Sequence, residues 1–180
     1  MIFRLQKSKY YDYTFRRGKQ LKGVISINQH KNSTNRNYNR TIRLNRVFIN
    51  SKLKTSGLSS GLYPFIMELA ERNGLSLHEL SNSVCVDSSY TTRALDKLIK
   101  LKYVEKKTNQ LDLRALEISL TDKGKKLNGK IKTIIDEWNG IIFNNLTEEE
   151  LKTYEAITNK IHANASDYFV HNGKKYGDND

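Results

Sequence analysis

The hydrophobic period of the sequence changes once in its middle, and this change constrains the fold more than any other feature. From Ser88 to Lys100 the apolar residues recur at three- and four-residue spacing, which is typical of an amphipathic helix. Its apolar face comprises Thr91, Ala94, Leu95, Leu98 and Leu101. From Ala115 to Leu120 apolar and polar residues alternate, which indicates a half-buried strand. The pattern therefore predicts a helix followed by a two-stranded hairpin, with 103–107 as the first strand.

A second helix is predicted just before this one. Ser76 and Glu79 form a capping box, in which each side chain accepts a hydrogen bond from the other residue's backbone amide. Asp87 is then the expected cap of the helix that begins at Ser88. The order helix, turn, polar-faced helix and hairpin is that of a winged helix-turn-helix, whose second helix enters the major groove of DNA.

Helical patterns also flank this unit on both sides. Apolar residues at helical spacing are Tyr38, Ile42, Ile49 and Leu53 before Gly57. The next helix is expected to begin near Ser59 or Ser60, to carry Leu62, Phe65, Ile66 and Leu69, and to end at the C-cap pair Asn73-Gly74. After the hairpin, Thr121 caps a long helix, and a second capping box at Thr147 to Glu150 opens the last one. These C-terminal helices carry more apolar surface than a small hairpin domain covers, so a helix pair of this chain or of a second copy is expected to bury it.

The positive charge of the chain is concentrated at its start. Residues 1–46 carry twelve Lys and Arg and one acid, which accounts for +11 of the net +12. Residues 88–114 carry a local +4, whereas residues 133–180 carry −5. Such an asymmetry is typical of a nucleic-acid partner, and the alternative is a solvated basic tail.

Several other classes of protein are not expected. No apolar run reaches the roughly 18 residues that a membrane-spanning helix needs, and no signal peptide precedes the charged start. With a single cysteine, Cys85, and four scattered histidines, neither a disulfide nor a metal site is predicted. Phosphate loops, zinc-protease pairs and nucleophile elbows are missing from the sequence, so we expect a cytoplasmic chain that is not an enzyme and needs no cofactor.

The middle of the chain carries a set of short motifs in one register. They are Val86-Asp87-Ser88-Ser89, Thr92-Arg93, Leu95-Asp96-Lys97-Leu98, Val104-Glu105-Lys106, Asp112-Leu113-Arg114, Ile118-Ser119-Leu120-Thr121-Asp122-Lys123-Gly124 and Leu146 to Glu150. On these residues, 35–165 resembles the MarR family of winged-helix transcriptional regulators. The sequence departs from the family at Ser88, where a basic residue is frequent, and at Tyr90-Thr91.

The resemblance implies a fold that is mainly α with a small β-hairpin wing, flanked by N- and C-terminal dimerisation helices. The domains expected are a basic extension (1–30), an N-terminal dimerisation helix (31–57), the winged helix-turn-helix (58–121), C-terminal dimerisation helices (122–170) and a polar tail (171–180). Tyr10 to Ile27 contains residues that favour strands, and residues 1 to about 30 are expected to be loosely ordered or to form a short hairpin.

The resemblance also implies a homodimeric repressor that binds double-stranded DNA at a pseudo-palindromic operator and is released by a small-molecule effector. The alternative is a winged-helix interaction or architectural module that binds DNA weakly and non-specifically through its basic N-terminus. A titration of specific and random duplexes at several salt concentrations separates the two.

Individual residues receive expected roles on the same basis. Arg114 would enter the minor groove at the wing tip with Asp112 holding its guanidinium, although a surface salt bridge in a turn is the simpler alternative. Contacts to bases or phosphates are expected from Ser88, Ser89, Tyr90, Thr92 and Arg93, and contacts to phosphates from Lys97 and Lys107. Asp96 is expected to pair with Arg93 or Lys100 within the helix, or with a neighbouring residue. Cys85 is expected to be a plain turn residue, with a redox switch as the alternative.

Overall fold

The computed structural model describes residues 22–108 and 116–171, with side chains over 33–108 and 116–169. Its elements are α1 (Lys22–Leu53), α2 (Tyr63–Glu71), α3 (Leu77–Val84), α4 (Ser88–Lys100), β1 (Val104–Thr108), β2 (Leu116–Leu120), α5 (Asp122–Ile142) and α6 (Glu148–His171). The prediction of a mainly helical fold with one small hairpin is confirmed. By its contacts the chain divides into two units, Met1–Leu44 and Asn45–Asp180.

The first helix begins earlier than the sequence indicated. The prediction of loose order or a short hairpin over residues 1 to about 30 is wrong for residues 22–30, which are helical, and residues 1–21 lie outside the described part of the chain. Val24, Ile25 and Ile27 favour strands, but each costs a helix at most about 0.7 kcal/mol relative to alanine. Continuity with the helix that follows outweighs so small a preference.

The core of the second unit lies between α2, α3, α4, α5 and the base of the hairpin. It is built from the end of α1 and from apolar residues of every one of these elements, including Ile49, Leu53, Phe65, Ile66, Leu69, Leu80, Leu95, Leu98, Val104, Ile118 and Ile131. A short 3-10 helix, Lys54–Ser56, follows α1, and Gly57 ends it in the left-handed conformation at φ 69°. A side chain would be strained at this φ, which favours glycine.

The second helix is shorter than its pattern indicated at both ends. It begins at Tyr63 because residues 59–62 form a turn, in which the Leu62 amide donates to the Ser59 carbonyl at 2.9 Å. Pro64 lies in the first turn of α2, where its missing N–H breaks no helical bond. The helix ends at Glu71, and the left-handed Gly74 donates instead to the Ile118 carbonyl of β2 at 3.1 Å. Gly74 therefore hydrogen-bonds to the hairpin and does not cap α2.

The caps predicted from sequence are present. Ser76 and Glu79 form the complete capping box of α3, Asp87 accepts from the Tyr90 amide at 2.6 Å, and Thr121 accepts from the Gly124 amide at 3.1 Å. A second box begins α6, where the Thr147 amide donates to Glu150 Oε2 at 2.8 Å. Each cap satisfies donors that a helix start leaves unpaired, and it thereby fixes where the helix begins.

The hairpin is antiparallel, with Val104 opposite Leu120 and Thr108 opposite Leu116. The alternation predicted for β2 holds only at its base, since Ile118 and Leu120 are buried but Leu116 is 56% exposed. Ser119, expected on the solvent side, is also buried. The hairpin is thus packed where it joins the domain and projects into solvent at its other end.

The two C-terminal helices leave the core as they proceed. In α5, Gly124, Leu127, Ile131 and Ile134 are buried, whereas no side chain of α6 between Glu148 and Phe169 is buried. The helices within 22–108 and 116–171 are too polar to cross a membrane.

Candidate nucleic-acid interface

The candidate interface is the exposed side of α4, and its orientation follows from the other side of the helix. Thr91, Ala94, Leu95 and Leu98 are buried against the core. On the opposite side the exposed residues are Ser88, Ser89, Thr92, Arg93, Asp96, Lys97 and Lys100. The helix therefore presents a polar and mostly basic surface from its N-terminus onward, which is what a recognition helix needs in a major groove.

A buried hydrogen-bond chain holds α4 against α3. The Ser81 hydroxyl donates to Thr91 Oγ1 at 2.9 Å, and the Thr91 hydroxyl donates to the Asp87 carbonyl at 3.0 Å. Both side chains are buried, and the Ser81 hydroxyl also lies 2.8 Å from the Leu77 carbonyl of its own helix, so every polar atom of this contact has a partner inside the domain. Sequence patterning placed Thr91 on the apolar face but missed Ser81, because a serine within a short helix gives no sign that its hydroxyl is buried.

Tyr90 is held by the domain itself. Its hydroxyl donates to the Gly61 carbonyl at 3.2 Å, and its ring lies 6.2 Å from the ring of Phe65. The side chain is half-buried. This geometry favours a positioning role, in which Tyr90 ties the N-terminal turn of α4 to the segment before α2. Direct contact of Tyr90 with DNA stays a prediction.

The first turn of α4 exposes two hydroxyl groups. Ser88 and Ser89 are exposed at the helix N-terminus, where the helix dipole favours an anion, and the Asp87 carboxylate already accepts from the Tyr90 amide there. The Thr92 hydroxyl donates back to the Ser88 carbonyl at 2.9 Å, and it remains exposed.

The charges further along α4 are not paired with one another. The expected ion pair of Asp96 with Arg93 or Lys100 is wrong, since none of the ion pairs among residues 33–108 and 116–169 includes Asp96. All three side chains point into solvent, where such a pair contributes little free energy. Arg93 and Lys97 are consequently available to a ligand.

The wing contributes Lys107 from its first strand. Lys107 Nζ lies 2.7 Å from Glu105 Oε1 on the same strand. The hydrogen bond and the charge of Glu105 raise the pKa of Lys107, so its side chain is charged throughout the neutral range. Asp112 and Arg114, the predicted wing-tip pair, lie outside the described residues. Of the predicted site, α4 and β1 are thus placed and the wing tip remains a prediction.

Sequence comparisons agree with this geometry. The family model described as "MarR family" matches residues 58–116, which contain α2, α3, α4 and β1. The chain is 30% identical over 115 residues to the HTH-type transcriptional regulator BilQ of Clostridium symbiosum (strain WAL-14163), covering 64% of this chain and 80% of that protein. Over 100 residues it is 34% identical to the HTH-type transcriptional regulator SarZ of Staphylococcus epidermidis, covering 54% of this chain and 65% of SarZ.

Solved structures share the fold over most of the chain. A MarR transcriptional regulator from Methanosarcina mazei Go1 superposes with a TM-score of 0.68 at 26% identity, covering 75% of this chain and 98% of that one. A putative MarR family regulator from Listeria monocytogenes, solved in complex with 26mer DNA, superposes with a TM-score of 0.70 at 22% identity. That superposition covers 78% of this chain and 95% of the Listeria protein.

Proposed function

Because this chain belongs to the MarR family of transcriptional regulators, we propose that it is a homodimeric repressor that binds a pseudo-palindromic operator. The observation that carries the proposal is the exposed, mostly basic side of α4, held in place by buried contacts on its other side. A rigid helix with this surface is suited to the major groove. The Listeria protein of the same fold, solved with 26mer DNA, supports DNA as the partner.

The exposed residues of α4 divide by the part of DNA that each would contact. Ser88 and Ser89 bind a phosphate at the helix N-terminus. Arg93 donates two hydrogen bonds to a guanine, whose N7 and O6 atoms are the acceptors, and Thr92 lies beside it. Lys97 and Lys107 bind phosphates, which position the protein without specifying sequence. Arg114, oriented by Asp112, enters the minor groove.

The C-terminal helices supply the dimer in this proposal. Exposed apolar residues follow one side of α6, namely Tyr154, Ile157, Ile161 and Tyr168. A second copy that covers them removes this surface from water, and the resulting two-fold axis places two α4 helices about 34 Å apart, one turn of DNA.

A small-molecule effector would release DNA by binding more tightly to a dimer whose α4 spacing no longer matches the groove. The proposed activity involves no catalytic step.

The test is a titration of the protein's own upstream DNA and of a random duplex, each at several salt concentrations. Specific recognition predicts an affinity ratio of at least about a thousand that persists as salt increases. Equal affinity for both duplexes, with one common salt dependence, would contradict the proposal and favour a non-specific module.

Two variants locate the contacts. Arg93→Ala is expected to lower operator affinity by about 1 to 3 kcal/mol while leaving random-duplex affinity nearly unchanged. Arg114→Ala is expected to lower the slope of log affinity against log salt concentration by about one unit. The matched control is Lys160→Ala on α6, which removes an exposed positive charge far along the chain from both elements. Footprinting of the upstream DNA then gives the half-site spacing.

A further inference from the structure

The first helix carries an arginine face that no acidic residue of the helix balances. Between Lys22 and Leu53, α1 contains seven Lys and Arg and no Asp or Glu. Arg36, Arg40 and Arg43 are separated by four and three residues, so they share one side of the helix. All three are exposed, and none forms an ion pair with a carboxylate among residues 33–108 and 116–169.

The apolar residues of this segment lie on the other side of the helix. At 3.6 residues per turn, Tyr38 and Ile42 each lie about 160° around the axis from Arg40. Tyr38 is exposed and Ile42 is half-buried, so this is the side that packing against apolar surface would cover. A second copy that covered Tyr38 and Ile42 would leave the arginines in solvent. The arginine face therefore needs a separate explanation.

The helix is also intrinsically weak where the arginines lie. Residues 22–44 contain no alanine, glutamate or methionine and are rich in asparagine, serine and threonine. The Thr41 hydroxyl donates back to the Asn37 carbonyl at 3.0 Å, a bond that slightly destabilises a helix. Like charges at four- and three-residue spacing repel by a few tenths of a kcal/mol each. An anion bound along this face would remove that repulsion and stabilise the helix.

We propose that the arginine face, Arg36, Arg40 and Arg43, binds the phosphate backbone of duplex DNA. The inference rests on the proposed function, since it adds a second contact surface to that of α4. Guanidinium groups match phosphate oxygens with paired hydrogen bonds. The three residues span about 10 Å along the helix axis. Over that length duplex DNA presents about six phosphate charges.

An acidic protein surface fits this face less well. The described acids of α6 are dispersed, with three in its first turn and the others at Glu155 and Asp167. One of the first three, Glu150, is already bonded to Thr147 in the capping box. Duplex DNA by contrast offers a continuous row of charge. Because the arginines would bind phosphates, the arginine face raises affinity for every sequence and leaves specificity unchanged.

The test compares two triple variants on a random-sequence duplex. Arg36→Gln, Arg40→Gln and Arg43→Gln together remove three charges from the arginine face. Lys130→Gln and Lys132→Gln on α5, with Lys152→Gln on α6, remove three exposed charges elsewhere. The arginine variant is expected to lower the slope of log affinity against log salt by about 2.7, or 0.9 for each phosphate that is no longer neutralised. A slope equal to that of wild type would overturn the proposal.

Hydrogen exchange supplies a second measurement that does not depend on affinity. At saturating DNA, residues 33–44 are expected to exchange more slowly in wild type and in the lysine variant, but not in the arginine variant. If the arginine variant instead weakens self-association in sedimentation and leaves the DNA slope unchanged, the acidic surface of a second copy is the partner and the proposal is wrong.

Failure of this inference is distinguishable from failure of the proposed function. If only the arginine face is wrong, the operator-to-random affinity ratio stays high and the arginine variant has the wild-type slope. If only specific recognition is wrong, the ratio is near one, yet the arginine variant still lowers the slope on random DNA.

Discussion

At the scale of single residues, Gly61 and Tyr90 illustrate how a small residue sets the position of α4. A Cβ at Gly61 would overlap the Tyr90 hydroxyl, whereas the next nearest ring atom, Cζ, would lie at 3.8 Å, an ordinary contact. Gly61→Ala is therefore expected to cost about 1 to 3 kcal/mol of unfolding free energy in wild type. In the Tyr90→Phe background, where the hydroxyl is gone, the same substitution should cost almost nothing.

Urea unfolding of the four proteins in this cycle measures the coupling between the two sites. Tyr90→Phe alone is expected to cost about 1 kcal/mol, the usual contribution of one hydrogen bond. A coupling energy of at least about 1 kcal/mol is expected. Strictly additive costs would show that the ring moves aside freely and that Tyr90 does not position α4.

The capping box of α3 makes a prediction about pH at the same scale. Hydrogen bonds from the Ser76 side chain and backbone lower the pKa of Glu79 below its ordinary value of 4.5. A lowered folded-state pKa means that the carboxylate's contribution to stability is complete above pH 4.5 and is lost as pH falls through the lowered value. Wild type should therefore exceed Glu79→Gln in unfolding free energy by more at about pH 6 than at about pH 3.

The control for this prediction is Glu71→Gln, which removes an exposed carboxylate at the end of α2 that belongs to no cap. Unfolding in urea at both pH values gives the comparison. For each variant, the difference in unfolding free energy from wild type is compared between the two pH values. If this difference shrinks equally for Glu71→Gln and Glu79→Gln as pH falls, net charge and not the cap produces the effect.

At the scale of elements, the start of α5 depends on Gly124. A Cβ there would collide with the backbone carbonyl of Tyr103, which cannot move without shifting β1. Gly124→Ala is expected to cost about 3 kcal/mol, because a backbone atom must give way. Gly129 lies in the same helix, and a Cβ added there would have no atom within 4 Å. The control is therefore Gly129→Ala. It should stabilise by up to about 1 kcal/mol through helix propensity alone. Thermal or urea unfolding of both variants checks the contrast, and equal effects would contradict it.

The elements also mark how far sequence reasoning extends. The bounds of α4 and the caps at Ser76, Asp87 and Thr121 were predictable, because caps and helical spacing are encoded within a few adjacent residues. The start of α2 and the role of Gly74 were not, since both depend on partners distant in sequence. The α4 face was predictable from its period, but the bond of Tyr90 to Gly61 joins positions 29 residues apart. Spacing within one helix carries no information about such a pair.

At the scale of the whole molecule, we expect the exposed side of α6 to form the proposed dimer interface. Ile157 and Ile161 are 51% and 62% exposed, and they are one helical turn apart. Burying an isoleucine fully contributes about 1.5 to 3 kcal/mol, and each subunit of a symmetric dimer contributes both residues. A double variant, Ile157→Glu with Ile161→Glu, should therefore raise the dimer dissociation constant at least about a hundredfold.

The matched control is Asn159→Glu with Ala163→Glu, which has the same four-residue spacing and adds the same charge on the opposite side of α6. Both residues of that pair are exposed. Sedimentation over a range of concentrations should show a monomer for the isoleucine variant and a dimer for wild type and the control. Operator affinity should fall when dimerisation is lost, because a monomer places only one α4 in a groove and therefore reaches a single half-site. A dimeric isoleucine variant would move the interface away from this side of α6, and operator affinity that survived in a monomer would separate DNA binding from dimerisation.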